Sequence, residues 1–257
     1  MRALSIVRGV FDLALIALVV ALLLRHSPAP KADGGPIAEV PTREKVVALT
    51  FDDGPHPDFT PAILDALEMY QVKATFFMIG ERMQKYPQIV ERVVADGHAI
   101  GNHTYDHPHD LESLASPEVI RELDDCEQII EQMTGRRTHL FRPPRGLLNG
   151  TILTIAKEEG YQTILWTVSA DHHDAPTPEA MAKRVLEHVR PGAIILAHDG
   201  TFASRIRDVR ATPLIISELQ RRGYRFVTVP ELLGKGSGNR GTADERTERR
   251  EPSLRSG

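Results

Sequence analysis

The sequence predicts an α/β domain built on a mostly parallel sheet of about seven strands. Three observations lead to this fold class. Patterns typical of strands and helices alternate along residues 44–233, as they do in chains that cross over from one parallel strand to the next. The predicted strands are short and continuously apolar, which indicates burial on both faces. Ionisable side chains follow most of them, at the end where α/β proteins place their functional cleft.

The individual elements follow from apolar runs that are separated by turn residues. The predicted strands span residues 46–51, 74–79, 98–102, 139–142, 163–168, 193–197 and 225–229. The predicted helices span residues 60–70, 87–96, 116–134, 149–159, 177–189 and 213–222, and most of them are followed by a glycine. Seven such units fit a closed or partly closed β/α barrel as well as an open doubly wound sheet. Counting the units does not separate the two.

The N-terminal segment, residues 1–25, has the pattern of a membrane anchor or a signal segment. Arg2 and Arg8 precede an apolar stretch at 10–24 that only Asp12 interrupts. Its length lies between the ~7–15 residues of a signal-peptide core and the ~20 residues of a spanning helix. The basic flank predicts an exported domain, and a poor cleavage signal favours an anchored protein over a secreted one. The alternative is a buried helix of the domain.

Composition changes on both sides of the predicted domain. Residues 26–43 are rich in Pro, Gly and Ala and predict a linker, whereas residues 234–257 contain almost no apolar residue and predict a disordered tail. The net charge of -4 lacks the basic excess of nucleic-acid-binding proteins, so no nucleic acid partner is expected. The one cysteine, Cys126, excludes an internal disulfide and a multi-cysteine zinc site. The sequence indicates no protein partner.

The first group of ionisable residues follows the first predicted strand. Asp52 and Asp53 are adjacent there, and a bend at Gly54 and Pro55 would let both carboxylates face one cleft. Carboxylates that close repel each other unless a cation neutralises one of them. A metal ion on one carboxylate and an arginine on the other would remove this repulsion. The alternative is a turn in which the acidic residues only accept backbone hydrogen bonds.

A pair of histidines follows the third predicted strand. His103 and His107 are four positions apart, so on a helical turn both rings would lie on one face, within reach of one cation. Two imidazoles and one carboxylate suit zinc, with an open position for water. Related triads suit iron or other divalent metals. Taken alone, two histidines at this spacing are also consistent with surface or packed residues.

Four segments taken together identify a family. Arg142 ends the fourth predicted strand and His198 ends the sixth. With the Thr-Phe-Asp-Asp-Gly-Pro and His-Thr-x-x-His segments, which occur in the expected order at strand ends, they resemble the polysaccharide deacetylase family, also called the NodB-homology domain or carbohydrate esterase family 4. The resemblance covers about residues 45–233. It implies a distorted, incomplete (β/α) barrel, which decides between the two architectures.

The resemblance implies a metal centre and a general base. Asp53, His103 and His107 would be the ligands of one divalent metal ion, and zinc is the ion expected. Asp52 would be the general base that activates the attacking water. Arg142 would orient Asp52 and hold it ionised.

Three further residues would act on the substrate in this family. The backbone N–H of Arg145 would stabilise the oxyanion, and Leu196 would line the small pocket for the acetyl methyl group. His198 would be the general acid that protonates the leaving amine, a task that suits an imidazole because its pKa lies near neutrality.

The chain departs from the family pattern at two places. Arg145 stands where the family usually has a tyrosine; its backbone N–H can keep the oxyanion role, while its side chain adds positive charge at the cleft rim. After the fifth predicted strand, residues 169–174 replace the usual Asp-x-x-Asp-Trp segment, whose acidic residue tunes the catalytic histidine. Asp171 or Asp174 would have to supply that carboxylate.

The implied function is a hydrolase that removes N-acetyl groups from an amino-sugar polymer of the cell envelope, such as peptidoglycan, an exopolysaccharide or a chitin-like glycan. One alternative is a catalytically weak glycan-binding module, which the altered segment 169–174 supports. Another is a deacylase of a small or lipid-linked amide, which a membrane anchor would suit. The joint presence of Asp52, Arg142 and His198 favours the enzyme, because binding alone requires neither a base nor an acid.

Overall fold

The computed structural model of the protein describes residues 35–171, 173–200 and 202–238. The predicted anchor or signal segment at 1–25 lies outside these residues. Of the predicted tail at 234–257, residues 234–238 are described, within a helix, and residues 239–257 lie outside the described ranges. Within the described ranges, no helix combines the length and the apolar composition that are needed to cross a bilayer.

The described residues form eight strands and eight helices of at least one α-helical turn. The strands are β1 (Val46–Asp52), β2 (Thr75–Met78), β3 (Ala99–Asn102), β4 (Leu140–Phe141), β5 (Gln162–Thr163), β6 (Val168–Ser169), β7 (Ile194–His198) and β8 (Arg225–Phe226). The helices are α1 (Phe59–Met69), α2 (Gly80–Lys85), α3 (Pro87–Ala95), α4 (Ser116–Thr134), α5 (Gly150–Glu158), α6 (Pro178–His188), α7 (Ile206–Arg221) and α8 (Val229–Gly238).

The strands form one curled parallel sheet. Seven of them follow the order β5-β4-β3-β2-β1-β7-β6, and β8 pairs with the start of β1. All of these pairings are parallel. The two ends of the path, β5 and β6, are consecutive along the chain, so the sheet curls towards a barrel that strand pairing does not close. The prediction of an incomplete (β/α) barrel of about seven parallel strands is confirmed.

The predicted strand at 163–168 is wrong as a single element. Its two ends pair on opposite edges of the sheet, β5 with β4 and β6 with β7. The residues between them cross the opening of the barrel, where the amide of Leu165 donates to the carbonyl of Ile37 at 2.8 Å. An apolar run has the same sequence pattern whether it pairs with one neighbour or crosses between two, so the pattern could not reveal the crossing.

Residues 37–40 fill part of the same opening. The amide of Ile37 donates to the carbonyl of Thr163 at 2.8 Å, and the amide of Val40 donates to the carbonyl of Gly192 at 2.9 Å. Val40 is buried in the apolar core inside the barrel. These residues belong to the range 26–43 that the sequence predicts as a linker, and here they hydrogen-bond to the barrel.

Helix α7 begins earlier than the sequence predicts. The sequence predicts a helix over residues 213–222, starting at Pro213. The helix instead starts at Ile206 and continues through Pro213. Its buried face includes Ala211, Ile215 and Ile216, so tertiary packing offsets the cost of an internal proline, whose ring removes one backbone hydrogen bond.

The alternation of side chains along β1 separates two cores and leads to the cleft. Val47, Leu49 and Phe51 point outwards into the core under the helices. Val46 and Ala48 point into the barrel, where they pack with Phe77, Leu140 and Ile194. Further along the same inner face come Thr50 and Asp52, both buried. The barrel interior therefore changes from apolar to polar towards the C-terminal ends of its strands.

Candidate active site

Asp52 and Asp53 lie where β1 ends. Asp53 has a φ of 74°, a left-handed conformation that is uncommon for residues other than glycine, so the chain turns at Asp53 itself rather than only at the following Gly54. The turn is packed closely against Gly200, because a Cβ on that glycine would lie 2.0 Å from the carbonyl oxygen of Asp53. The turn brings both carboxylates to the mouth of the barrel.

Asp53, His103 and His107 form a compact group. The Nε2 atoms of both histidines lie 3.4 Å from Oδ1 of Asp53, and one ligand atom from each residue lies within 4.8 Å of the others. The Nδ1 atom of His103 lies 2.7 Å from the carbonyl oxygen of Arg142. A proton donated there leaves the lone pair on Nε2 facing the group.

The two histidines do not lie on a helical turn. Residues 103–107 have no regular secondary structure, and both Thr104 (φ 68°) and His107 (φ 61°) are left-handed. The helical interpretation of the spacing is therefore wrong, although the two rings do converge, with centroids 5.1 Å apart. The irregular loop, with its two left-handed residues, brings the two imidazole rings together without helical periodicity.

The electrostatics of this group show how strongly its members interact. Burial raises the pKa of Asp53, but the contact with His103 and the charges of the nearby histidines outweigh burial and hold the pKa below its usual range. Burial lowers the pKa of His103, and the two carboxylates Asp52 and Asp53 more than offset this. Burial and the proximity of His103 lower the pKa of His107. The two carboxylates thus favour positive charge at His103, whereas a second protonated imidazole at His107 is disfavoured.

Arg142 passes through the barrel interior and is fully buried. Its Nη1 donates to Oδ1 of Asp52 at 2.6 Å and to the hydroxyl of Thr50 at 2.8 Å. Its Nε and Nη2 donate to the carbonyls of Ile164 and Leu165 at 3.1 and 3.0 Å. The guanidinium also lies 4.0 Å from the ring centroid of Phe77. These contacts fix the orientation of the Asp52 carboxylate.

His198 lies at the end of β7, and its partner is Asp171. The Nδ1 atom of His198 is 3.1 Å from Oδ1 of Asp171. The pKa of Asp171 is lowered to about 2 because the contact with His198 and its charge, followed by the charge of Arg205, outweigh burial. Asp174 instead pairs with Arg184 at 2.7 Å. Of the two acidic residues that the sequence left open, Asp171 is the one in contact with the histidine.

Two residues near His198 were missed by the sequence reasoning. Arg205 forms an ion pair with Asp171, and its Nη2 lies 3.7 Å from Oδ2 of Asp53. Oδ1 of Asp208 accepts the backbone N–H of His198 at 3.1 Å. Both residues lie beyond β7 among other charged residues, and the early start of α7 is what brings Asp208 onto a buried helical face.

Leu196 and Arg145 occupy different positions around the cleft. Leu196 is buried on the inner face of β7, two residues before His198 and opposite Thr50. Arg145 is left-handed, with a φ of 56°. Its half-exposed side chain turns towards His109, with Nη1 3.2 Å from Nε2 of that histidine, and lies 3.8 Å from Glu112. The Arg145 charge therefore has an acidic neighbour at the rim.

The donor set fits a divalent ion. Two imidazole nitrogens and one carboxylate oxygen lie within 4.8 Å of one another, and one imidazole is already oriented by a backbone carbonyl. Such a set, with a position left for water or substrate, is typical of a catalytic metal site. Beside it lie a carboxylate held by arginine and a histidine held by aspartate, which together can accept and donate protons.

Known proteins are similar to this chain in sequence and in fold. The sequence profile of the polysaccharide deacetylase family matches residues 39–164. A peptidoglycan-N-acetylglucosamine deacetylase of Bacillus cereus is 43% identical over 197 residues, which cover 76% of this chain and 91% of the relative.

Two solved structures show the same likeness. A peptidoglycan N-acetylglucosamine deacetylase superposes with a TM-score of 0.73 at 36% identity, covering 76% of this chain and 91% of the other. A protein of Bacillus anthracis described as a pseudoenzyme of carbohydrate esterase family 4 superposes with a TM-score of 0.72 at 30% identity, covering 79% of this chain and 70% of the other. The protein therefore belongs to the polysaccharide deacetylase family.

Proposed function

We propose that this protein is a metal-dependent hydrolase that removes N-acetyl groups from the amino sugars of peptidoglycan. The observation that carries the proposal is the convergence at one cleft of a metal-ligand set, an arginine-held carboxylate and an aspartate-held histidine. The names of similar proteins support peptidoglycan as the polymer. An exopolysaccharide or a chitin-like glycan is less well supported by these names.

Asp53, His103 and His107 would hold one divalent ion, which we propose to be zinc. When bound, the ion supplies a Lewis acid that polarises the amide carbonyl and stabilises negative charge on its oxygen. Two nitrogen ligands and one carboxylate are a common zinc-binding set.

Asp52 acts as the general base. Its Oδ1 is occupied by Arg142 at 2.6 Å, which leaves Oδ2 free to accept a proton from the attacking water. Oδ2 lies 3.9 Å from Nε2 of His103, so the accepting oxygen is on the side of the metal ligands. Arg142 cannot give up its own proton in this role, because guanidinium groups stay charged.

The substrate is oriented by two residues at the cleft. Leu196, buried at the inner face of β7, lines the small apolar pocket for the acetyl methyl group. The backbone N–H of Arg145 donates to the developing oxyanion, a contact that is strongest in the transition state. Both roles fit the neighbourhood of His198 on the same strand and of Arg142 three residues earlier in the chain.

His198 acts as the general acid. Its Nδ1 is held by Asp171 at 3.1 Å, so Nε2 is the nitrogen that can carry a proton to the leaving nitrogen of the sugar. The leaving group needs this proton, because an amine anion is a very poor leaving group. Asp171 takes the place of the acidic residue that the altered segment 169–174 displaces.

We further propose that the catalytic domain acts outside the cytoplasm. Residues 1–25 would anchor the chain in the membrane or direct its secretion. Residues 26–43, of which 37–40 hydrogen-bond to the barrel, would link this segment to the domain at 44–233. The predicted tail at 234–257 would follow the domain, with residues 234–238 still part of helix α8. The apolar stretch at 10–24 and its basic flank support this arrangement. A cell-wall substrate requires the same location.

The test is acetate release from purified peptidoglycan and from N-acetylglucosamine oligomers. The metal-stripped protein, the zinc-restored protein and the zinc-restored Asp52→Ala variant are compared. We expect release that requires zinc and is lost in the variant. Absence of release from both substrates by the zinc-loaded protein would instead favour a glycan-binding module, as one relative is described as a pseudoenzyme, or a small or lipid-linked amide substrate.

A further inference from the structure

The loop between the two histidine ligands needs support from outside. Thr104 and His107 are both left-handed, a conformation that L-residues other than glycine adopt only when surrounding contacts hold it. The loop has no helical or strand hydrogen bonding of its own. The position of the His107 ring therefore depends on which groups bind the backbone of residues 104–106.

Helix α2 binds the carbonyl side of this loop. The amides of Gly80 and Glu81, at the start of the helix, donate to the carbonyls of Thr104 and Tyr105 at 3.0 and 2.8 Å. The amide of Thr104 donates to Oδ1 of Asn102 at 2.9 Å. The amides of the next two residues, Tyr105 and Asp106, have no backbone acceptor among the described residues.

Glu122 of helix α4 supplies that acceptor. Its Oε2 accepts the amides of Tyr105 and Asp106, at 2.9 and 3.1 Å. The side chain is buried, with 9% exposure, and burial raises its pKa despite these two bonds. Burying a carboxylate costs free energy. This cost is offset here by hydrogen bonds to two consecutive backbone amides that lie between the two metal ligands.

The same helix holds the residue that precedes the loop. The carbonyl of Leu123 accepts Nδ2 of Asn102 at 2.9 Å, and the same Nδ2 is 3.0 Å from the hydroxyl of Tyr161. Tyr161 in turn donates to Glu127 at 2.6 Å. Helix α4 thus fixes both the start and the middle of the segment that carries the two histidines.

We propose that Glu122 is a positioning residue for the metal centre. It fixes the backbone of Tyr105 and Asp106 and thereby the His107 ring, without touching the metal ion or the substrate itself. This inference rests on the proposed metal-binding role of His107. What matters is the position of one acceptor oxygen, because the same Oε2 atom receives both amides.

Two conservative variants separate acceptor position from charge. Glu122→Gln keeps an acceptor oxygen at the same distance from the backbone and loses the charge. Glu122→Asp keeps the charge and withdraws the acceptor by one methylene. Asp124→Asn, an exposed change of charge on the same helix, is the matched control.

Zinc affinity is measured on each full-length protein by competition with a chromophoric chelator, beside the melting temperature of the metal-free form. We expect Glu122→Gln and Asp124→Asn to bind zinc within about threefold of wild type. Glu122→Asp should bind 10–100-fold more weakly, as for other residues that orient metal ligands, while remaining folded at the assay temperature. Wild-type affinity in Glu122→Asp, or a loss in Glu122→Gln as large as in Glu122→Asp, would overturn the proposal.

The outcomes also distinguish this inference from the proposed function. A wild-type protein that binds no zinc would remove the metal-dependent mechanism and this inference together. A wild-type protein that binds zinc and releases acetate, beside a Glu122→Asp variant with unchanged zinc affinity, would remove this inference alone.

Discussion

Two groups of acidic and histidine side chains lie at the same end of the barrel. One consists of Asp53, His103 and His107, and the other of Asp171, His198 and Asp208. In each group, one ligand atom from every residue lies within 4.8 Å of the others. By spacing and residue type, either group could hold a metal ion.

The difference between the two groups is the cation that one of them already contains. Arg205 pairs with Asp171 and has its Nη1 4.0 Å from Asp208, so a guanidinium neutralises the carboxylates beside His198. Asp208 also accepts a backbone N–H. The first group has one carboxylate and two imidazoles. Arg205 lies 3.7 Å from Asp53 in that group, but its close ion pair is with Asp171 of the second group. The comparison indicates a metal site in the first group and a proton-transfer site in the second.

Removal of a metal ligand should have the largest effect. The His107→Ala variant loses one of three ligands, and we expect zinc binding and activity to be lost together, with kcat/KM at least about 10³-fold lower, since metal stabilisation is worth several kcal/mol. Zinc titration and acetate release measure the two effects. Retained tight zinc binding in this variant would show that the first group is not the metal site.

Replacement of the general acid should separate activity from metal binding. For His198→Asn we expect kcat to fall by about 10²–10⁴-fold, the usual contribution of a general acid, with zinc affinity unchanged. The same assays apply, with His188→Asn, an exposed histidine of α6, as the control. Loss of zinc affinity in His198→Asn would move the second group into the metal site and contradict the comparison.

The partner of the acid should control the pH profile. Burial lowers the pKa of His198, but the close contact with Asp171 and its negative charge outweigh burial and raise the pKa above the ordinary value. A general acid must be protonated, so the rate falls as the pH rises through this pKa. Asp171→Asn removes the interaction that raises it, and we expect the alkaline limb of kcat to move to lower pH, with roughly tenfold lower kcat at pH 7.

Asp174 provides the control for this experiment. It pairs with Arg184 rather than with His198, and it is exposed, so Asp174→Asn should leave the alkaline limb in place. An equal shift in both variants would mean that general loss of negative charge, and not contact with His198, sets the profile.

The smallest expected effect on chemistry, and a clear effect on stability, comes from Arg205. The Arg205→Gln variant leaves Asp171 and Asp208 without their cation, and breaking this partly buried pair costs about 1–3 kcal/mol, between the values for exposed and buried pairs. We expect a lower free energy of unfolding in denaturant titrations, with partial recovery at millimolar zinc because an ion can then replace the guanidinium. Unchanged stability would show that Arg205 does not balance the charge of the second group.

The sequence predicts the barrel and the first group better than the second. Asp52, Asp53 and His103 lie at or directly after strand ends, so the common edge of a parallel sheet brings them together. His107 lies in the same short segment as His103, but its ring reaches the group only through an irregular loop. The position of Arg142 in the cleft could be predicted for the same reason, because Arg142 directly follows the short strand β4.

The second group depends on tertiary contacts that the periodicity of apolar residues in the sequence does not reveal. Asp171 lies after a segment that the sequence predicts as one strand, but that crosses between two edges of the sheet. Asp208 and Arg205 depend on a helix that continues through Pro213, against the usual preference of proline.

One part of the first group was also beyond sequence prediction. The loop of His107 is held by Glu122, 15 residues further along the chain, through hydrogen bonds to backbone amides.

The most direct test is the number of zinc equivalents that the protein binds with high affinity, titrated for wild type, His107→Ala and His198→Asn under identical conditions. We expect one equivalent for wild type, none for His107→Ala and one for His198→Asn. Only the wild type should release acetate at the full rate. Two tight equivalents in wild type, or loss of the tight equivalent in His198→Asn, would contradict the division of the cleft into one metal site and one proton-transfer site.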